Sequence, residues 1–228
     1  MLSTIMHHPF FNEGVFFHLV PQTTLTFLIC GIICTVVPYL LGSINFAVII
    51  SSKSFNDDVR EHGSGNAGMT NMLRLYGKKA AVLTLGGDAL KAILAALVGY
   101  FMIGMLGAYI AGFFCILGHM FPVFFKFRGG KGVVTAAASI LMCNPIVFLL
   151  LLILFILIVF IWRYISLASV MCVLLYPVVL SFVDTLLIGG SGIYMIFVVL
   201  TTVLVVIKHK DNIKRLMEGK ENKFKLNK

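Results

Sequence analysis

Residues 133–162 read VVTAAASILMCNPIVFLLLLILFILIVFIW, an uncharged run interrupted only by Asn144 and Pro145. As one helix it would rise about 45 Å, against roughly 30 Å of bilayer hydrocarbon. Proline inside a helix removes a hydrogen bond and clashes with the preceding turn, and it pushes the residue before it out of helical geometry. The number of helices hidden in this run decides the parity of the whole fold.

Charge bias supplies the answer. Of the 18 Lys and Arg, five lie in 51–79, three in 126–131 and eight in 208–228, with Lys91 and Arg163 completing the total. Short loops rich in Lys and Arg stay cytoplasmic. All three clusters share one side only if an even number of crossings separates Lys131 from Lys208. Splitting the run at Asn144-Pro145 provides it, with a short helix near 133–142 and a full one near 145–161. The short helix, only about 15 Å long, is expected to end in protein or in a wet cavity, since lipid offers its backbone no partners.

Outward from this run the chain is a membrane protein. Sixty per cent of its 228 residues are hydrophobic and 12% are charged, with a mean hydropathy of +1.02, far from the composition of soluble domains. Further spans are expected at 25–50, 80–100, 106–125, 165–187 and 193–207. The expectation is an all-α polytopic protein of seven transmembrane helices, one of them a half-helix, with the N-terminus outside and the C-terminus cytoplasmic. Residues 1–228 are read as one domain, with an extracytoplasmic extension at 1–24 and a basic tail at 208–228. The extension contains no Lys or Arg, so it lacks the basic start of a cleavable signal. A six-span alternative would leave the eight basic tail residues outside.

Two glycine-bearing loops fall on the cytoplasmic side. GSGNAGMTN at 63–71 contains G-x-G-x-x-G, but polar SSKSFNDDVREH precedes it and no βαβ unit surrounds it, so a dinucleotide fold is excluded. What remains is a turn whose N–H groups can converge on an anion, with Ser64, Asn66, Thr70 and Asn71 as further hydrogen-bonding groups and Arg74 as the charge. RGGKG at 128–132 opens the short helix, where free N–H groups, the positive helix end and Lys131 suit phosphate. The Walker A spacing is absent. The competing readings are a solvated flexible loop for the first and a polybasic turn at anionic headgroups for the second.

GSINFA at 42–47, GSGNAGMTNMLR at 63–74, GHMFPVFFKFRGGKGVVT at 118–135 and HKDNIKRLMEGKE at 209–221 resemble, in order, the motifs of the PlsY family of acyl-phosphate:glycerol-3-phosphate acyltransferases. The resemblance implies a seven-helix enzyme of the bacterial inner membrane that moves a fatty acyl group from acyl phosphate to glycerol 3-phosphate. Lysophosphatidic acid and phosphate are the implied products, with no cofactor or metal. It assigns catalysis to Ser64, Arg74, Lys131, His209 and Asn212. Substrate binding and loop shape fall to Gly63, Gly65, Asn66, Asn71, His119, Gly129, Gly130, Gly132 and Ser166. The chain departs from the family at Asn45 and Ala67, where proline is common, and at Met69, where alanine is common.

Chemistry supports direct transfer. An acyl phosphate is a mixed anhydride with a good leaving group, so the larger task is aligning a glycerol hydroxyl while two phosphates are held together. His119 and His209 are the candidate bases, with His119 equally suited to hydrogen-bonding the GGKG turn. Ser166 lies at a helix start, where its hydroxyl is also placed to cap. Asp88 and Lys91, one turn apart in an apolar span, read as a structural pair. No His is followed five residues on by Asp, which disfavours acyltransferases carrying H-x-x-x-x-D. The five Cys are scattered in apolar helices, and the three His of 1–24 lack acidic or Cys partners for a metal. The net charge of +9 suits anionic lipid and substrates; divided among membrane-proximal loops, it does not suit nucleic acid. The alternative from another class is a transporter or channel for a phosphorylated anion.

Overall fold

The computed structural model describes residue 16 and residues 23–188 and 192–224. The expected extracytoplasmic extension therefore lies almost wholly outside the described residues, as do 225–228 of the tail. Among the described residues every regular element is helical. They form two compact units, one ending at Cys143 and one beginning at Asn144.

The first unit begins with α1 (Thr24–Ser43) and α2 (Phe46–Phe55). The single span expected over 25–50 is thus two helices. The ladder breaks at Ile44 and Asn45, which both take extended geometry, and the Asn45 side chain then accepts from the Val48 N–H at 3.1 Å to cap α2. An Asn that can cap competes effectively with helix continuation. The hydrophobic run conceals the break because both helices are apolar.

The third element, α3 (Met69–Met120), is kinked at Gly77 and reverses at Ile103 and Gly104. Gly104 has φ 67° and ψ −149°, a region nearly closed to residues with a side chain. The limbs on either side run back against each other. A Cβ on Gly99 would lie 2.0 Å from the Gly107 carbonyl oxygen, so the two backbones touch there. Lys91 and His119, 28 residues apart, meet at 2.9 Å, where a straight helix would separate them by about 42 Å. The two spans expected at 80–100 and 106–125 are these limbs. Helix α1 packs on the second limb, where Cβ atoms on Gly42 and Gly118 would strike the Cys115 and Tyr39 carbonyl oxygens.

The unit closes with a single 3-10 turn, Val123–Phe125, and the short α4 (Val133–Cys143). Its 11 residues rise about 16 Å.

The second unit starts where the sequence places the split. Asn144 accepts from the Val147 N–H at 3.1 Å and Pro145 takes the first turn of α5 (Pro145–Trp162), a position where its missing N–H costs nothing. Arg163, in left-handed geometry, ends α5. Helices α6 (Ile165–Ile188), α7 (Met195–Lys208) and α8 (Lys210–Met217) follow. Among the described residues, four stretches are long and apolar enough to cross a membrane: Leu28–Phe55, Met69–Phe125, Pro145–Trp162 and Ile165–Leu187. Val133–Cys143 and Met195–Lys208 are shorter apolar helices.

Candidate active site

In the first unit the two glycine loops are built against each other. Asn56, left-handed, ends α2 and starts the loop 56–68. Asp58 accepts from the Arg60 backbone N–H at 3.0 Å, and its carboxylate pairs with the Arg60 guanidinium, Nη2 to Oδ2 at 2.6 Å. These Arg60 hydrogen bonds hold the Asp58 carboxyl below the usual carboxylate range. The remaining Arg60 nitrogen, Nη1, donates to the Phe125 carbonyl at 2.9 Å and the Arg128 carbonyl at 3.1 Å. Between those carbonyls lie Lys126 and Phe127, both left-handed at φ 57°. Two consecutive non-glycine residues in that region persist only when surrounding contacts hold them. Arg60 provides that hold.

Asn71 organises the turn that precedes α3. It is 1% exposed. Its Oδ1 accepts from the Ser64 N–H at 3.0 Å, while Nδ2 donates to the Val59 and His62 carbonyls, each at 3.0 Å. Gly63 and Gly65 take φ 62° and 67°. At Gly63 a Cβ would also lie 2.4 Å from the Asn71 Oδ1. Asn66 accepts through its carbonyl from Gly68, which caps α3 without a side-chain bond. The Ser64 hydroxyl and the Arg74 guanidinium are exposed.

The loops touch at Gly130, where a Cβ would lie 2.6 Å from the Ala67 carbonyl oxygen and 2.1 Å from His119 Nε2. Gly130 donates its N–H to the His119 carbonyl at 3.1 Å. Gly129 passes equally close to that carbonyl. Gly132, at φ 77°, turns the chain into α4 and accepts from the Ala136 N–H at 2.8 Å. Lys131 is half-buried between these glycines. Two helix N-termini, of α3 and α4, thus follow two mutually packed glycine loops. Their N–H groups and positive dipole ends are a ready site for anions.

In the second unit Ser166, Asn212 and Arg215 converge on Glu221. Ser166 Oγ and Asn212 Nδ2 donate to Oε1 at 2.9 and 2.7 Å, and Arg215 Nε donates to Oε2 at 2.7 Å. Ser166 lies in the first turn of α6 (Ile165–Ile188), and its hydroxyl donates to a carboxylate that the sequence places 55 residues away. Burial pushes the Glu221 carboxyl up, but the hydrogen bonds from Arg215, Asn212 and Ser166 outweigh it and bring it below its ordinary value. His209, 2% exposed, sits at the bend between α7 and α8 with Nδ1 2.7 Å from the Val205 carbonyl. A carbonyl only accepts, so Nδ1 carries the proton and, in the neutral ring, Nε2 carries the lone pair.

Sequence reasoning passed over Arg60, Glu221 and the contact of Lys91 with His119. Glu221 stood inside the quoted HKDNIKRLMEGKE and was legible as a carboxylate among cations. Arg60 gave no signal of its link to the second loop, because its partners there are backbone carbonyls.

Residues 32–219 match the profile of the family described as glycerol-3-phosphate acyltransferase. The chain belongs to the glycerol-3-phosphate acyltransferase family. It is 42% identical over 202 residues to the glycerol-3-phosphate acyltransferase of Paraburkholderia phytofirmans, covering 85% of this chain and 91% of that one. The enzyme of the same name from Finegoldia magna is 37% identical over 198 residues, 86% and 96% of the two chains. Among solved structures it resembles PlsY, an integral membrane glycerol 3-phosphate acyltransferase, in its glycerol 3-phosphate form. That likeness has a TM-score of 0.77 at 34% identity over 86% of this chain and 96% of the other. The lysophosphatidic acid form of PlsY gives 0.74 at 33% identity. As a member of the glycerol-3-phosphate acyltransferase family, the chain is a membrane acyltransferase.

Proposed function

We propose that this acyltransferase moves a fatty acyl group from acyl phosphate to glycerol 3-phosphate at the cytoplasmic face of a bacterial inner membrane. The carrying observation is the packing of the glycine loops 63–68 and 129–132 on each other, each leading into a helix N-terminus. Such a pair is suited to two phosphates held side by side. PlsY has been solved in a glycerol 3-phosphate form and in a lysophosphatidic acid form, which fits the proposed acceptor and product. The two limbs of α3, the split at Asn144-Pro145 and the cation clusters support seven crossings, with the N-terminus outside and the C-terminus cytoplasmic. All 228 residues then act as one domain.

In this reading Ser64, Arg74 and Lys131 bind phosphate, with Asn66 and Gly63, Gly65, Gly129, Gly130 and Gly132 shaping the loops. Arg74 and Lys131 offset the repulsion between two anionic reactants. The glycerol hydroxyl oxygen forms a bond to the acyl carbon as the bond from that carbon to the phosphate oxygen breaks. The hydroxyl proton leaves to the departing phosphate or to His209, whose Nε2 lone pair is the basic edge of its ring. The resemblance assigns Ser166 and Asn212 of the second unit to the same reaction, and within that unit Glu221 orients both.

The purified protein in lipid should convert acyl phosphate and glycerol 3-phosphate to lysophosphatidic acid, and should make none from acyl-CoA. Activity with acyl-CoA alone, or transport of glycerol 3-phosphate without acylation, would reject this reading. Tags on the two termini should be accessible from opposite faces of the membrane.

A further inference from the structure

A charged cluster in the first unit is buried and has no task in the proposed chemistry. Asp88, Lys91 and His119 are 1%, 3% and 4% exposed. Lys91 Nζ lies 2.8 Å from Asp88 Oδ1 and 2.9 Å from His119 Nδ1. It also reaches the Gly42 carbonyl at 3.0 Å and the Ile44 carbonyl at 2.7 Å, oxygens left over where α1 breaks before α2. Cations are favoured at such helix ends.

The protons can be assigned from these contacts. An ammonium offers three donors and no lone pair, so a protonated Nδ1 facing it would set donor against donor. Nδ1 must therefore present its lone pair. Charge gives the same result: one carboxylate and one ammonium cancel, whereas an imidazolium would leave net positive charge buried in an apolar bundle. The neutral ring then carries its proton on Nε2. Cys115, whose Sγ contacts the Lys91 carbonyl at 3.8 Å, adds no charge to this count as a thiol.

The opposite edge of the ring faces the second glycine loop. Nε2 lies against Gly130, and the Gly130 N–H is held by the carbonyl of His119 itself. The next residue is Lys131. We infer that Asp88 and Lys91 lock His119 as the Nε2–H tautomer, making it a positioning residue that sets the loop carrying Lys131 and removing it as a proton acceptor in the reaction.

The assignment is readable without turnover. In protein labelled with nitrogen-15 at histidine and held in nanodiscs, the His119 signals are identified by their loss in His119→Gln. At neutral pH they should be one unprotonated nitrogen, Nδ1, and one protonated nitrogen, Nε2. Lys91→Met removes the ammonium and leaves Asp88 beside the ring, Oδ1 to Nδ1 at 3.5 Å, so His119 should become doubly protonated. A space-filling role predicts no change in its protons. Wild-type protein with Nδ1 protonated, or a ring unchanged by Lys91→Met, overturns the inference.

The link to rate rests on Lys131 gripping a substrate phosphate. Lys91→Met should then lower kcat about 10- to 100-fold, the scale of a small misplacement of a reacting group. His119→Gln, which keeps a donor near Nε2, should retain more turnover than His119→Asn. Full activity of Lys131→Ala would remove that link while leaving the tautomer result intact.

Discussion

The Arg60 guanidinium donates to the Phe125 carbonyl across 65 residues of sequence, at 2.9 Å. With its bond to the Arg128 carbonyl and its pairing to Asp58, it ties the first glycine loop to the second.

Removing that tie should disorder the Lys126-Phe127 turn and displace Lys131. Charged hydrogen bonds contribute about 1.5–3 kcal/mol each. Arg60→Ala should therefore lower kcat/KM about 10- to 100-fold, read from steady-state lysophosphatidic acid formation. Arg60→Lys should recover only part, because an ammonium cannot reproduce the planar fork that serves Asp58 and two carbonyls at once. Wild-type rates in Arg60→Ala would show that the loops hold without it.

Asn71 uses one acceptor and two donors to fold the turn around Ser64. Asn71→Asp is nearly isosteric, yet it sets a carboxylate oxygen against two carbonyl oxygens and loses both donors. The expected destabilisation is roughly 2–4 kcal/mol, measured as a lower unfolding midpoint in detergent. It should exceed the effect of Asn71→Ala, which adds no buried charge. The reverse order would refute this account.

Gly104 reverses α3 at φ 67° and ψ −149°. Gly104→Ala forces a Cβ into a region costing of order 1–3 kcal/mol. A lower midpoint is expected, with the tautomer of His119 disturbed as the two limbs lose their register. An unshifted midpoint would mean that the reversal does not depend on glycine.

Gly130 has no room for a methyl group between His119 and Ala67. Overpacking of this kind costs about 1–3 kcal/mol. Gly130→Ala should retain helical circular dichroism while losing most acyl transfer, because the strain falls on the loop that carries Lys131. Unaltered turnover would separate the loop from the chemistry.

The depressed Glu221 carboxyl carries a sign. Folded protein holds its proton less tightly than unfolded protein, in which Glu titrates at about pH 4.3. Its contribution is therefore fully present above about pH 4.3 and is lost as pH falls through its lower folded value. A plot of unfolding midpoint against pH should fall less steeply on the acid side for Glu221→Gln than for wild type. Parallel acid limbs would indicate that Ser166, Asn212 and Arg215 do not stabilise the charged form.

Much of this was readable in one dimension. The break at Asn144-Pro145 was legible because proline and a capping Asn act through local backbone geometry, whatever surrounds them. The break at Ile44 was not, because Asn45 sits inside an unbroken apolar run whose hydropathy is the same for one helix or two. Ser64, Arg74, Lys131 and the loop glycines were visible as residue types with their chemistry adjacent in sequence. The long-range roles of Arg60, Lys91 and Glu221 were not, since their partners Arg128, His119 and Ser166 lie 68, 28 and 55 residues away.

By itself, then, the sequence determined the solvent, the helical class, the motif order and the anionic nature of the ligands, because composition, caps and charge clusters are local properties of the chain. The tertiary structure decided which edge of His119 holds the proton, what orients Ser166, and what holds two strained residues in their turn. Those depend on distances between atoms brought together only when the first limb of α3 folds back on the second, the glycine loops close on each other and, in the second unit, Glu221 returns to Ser166.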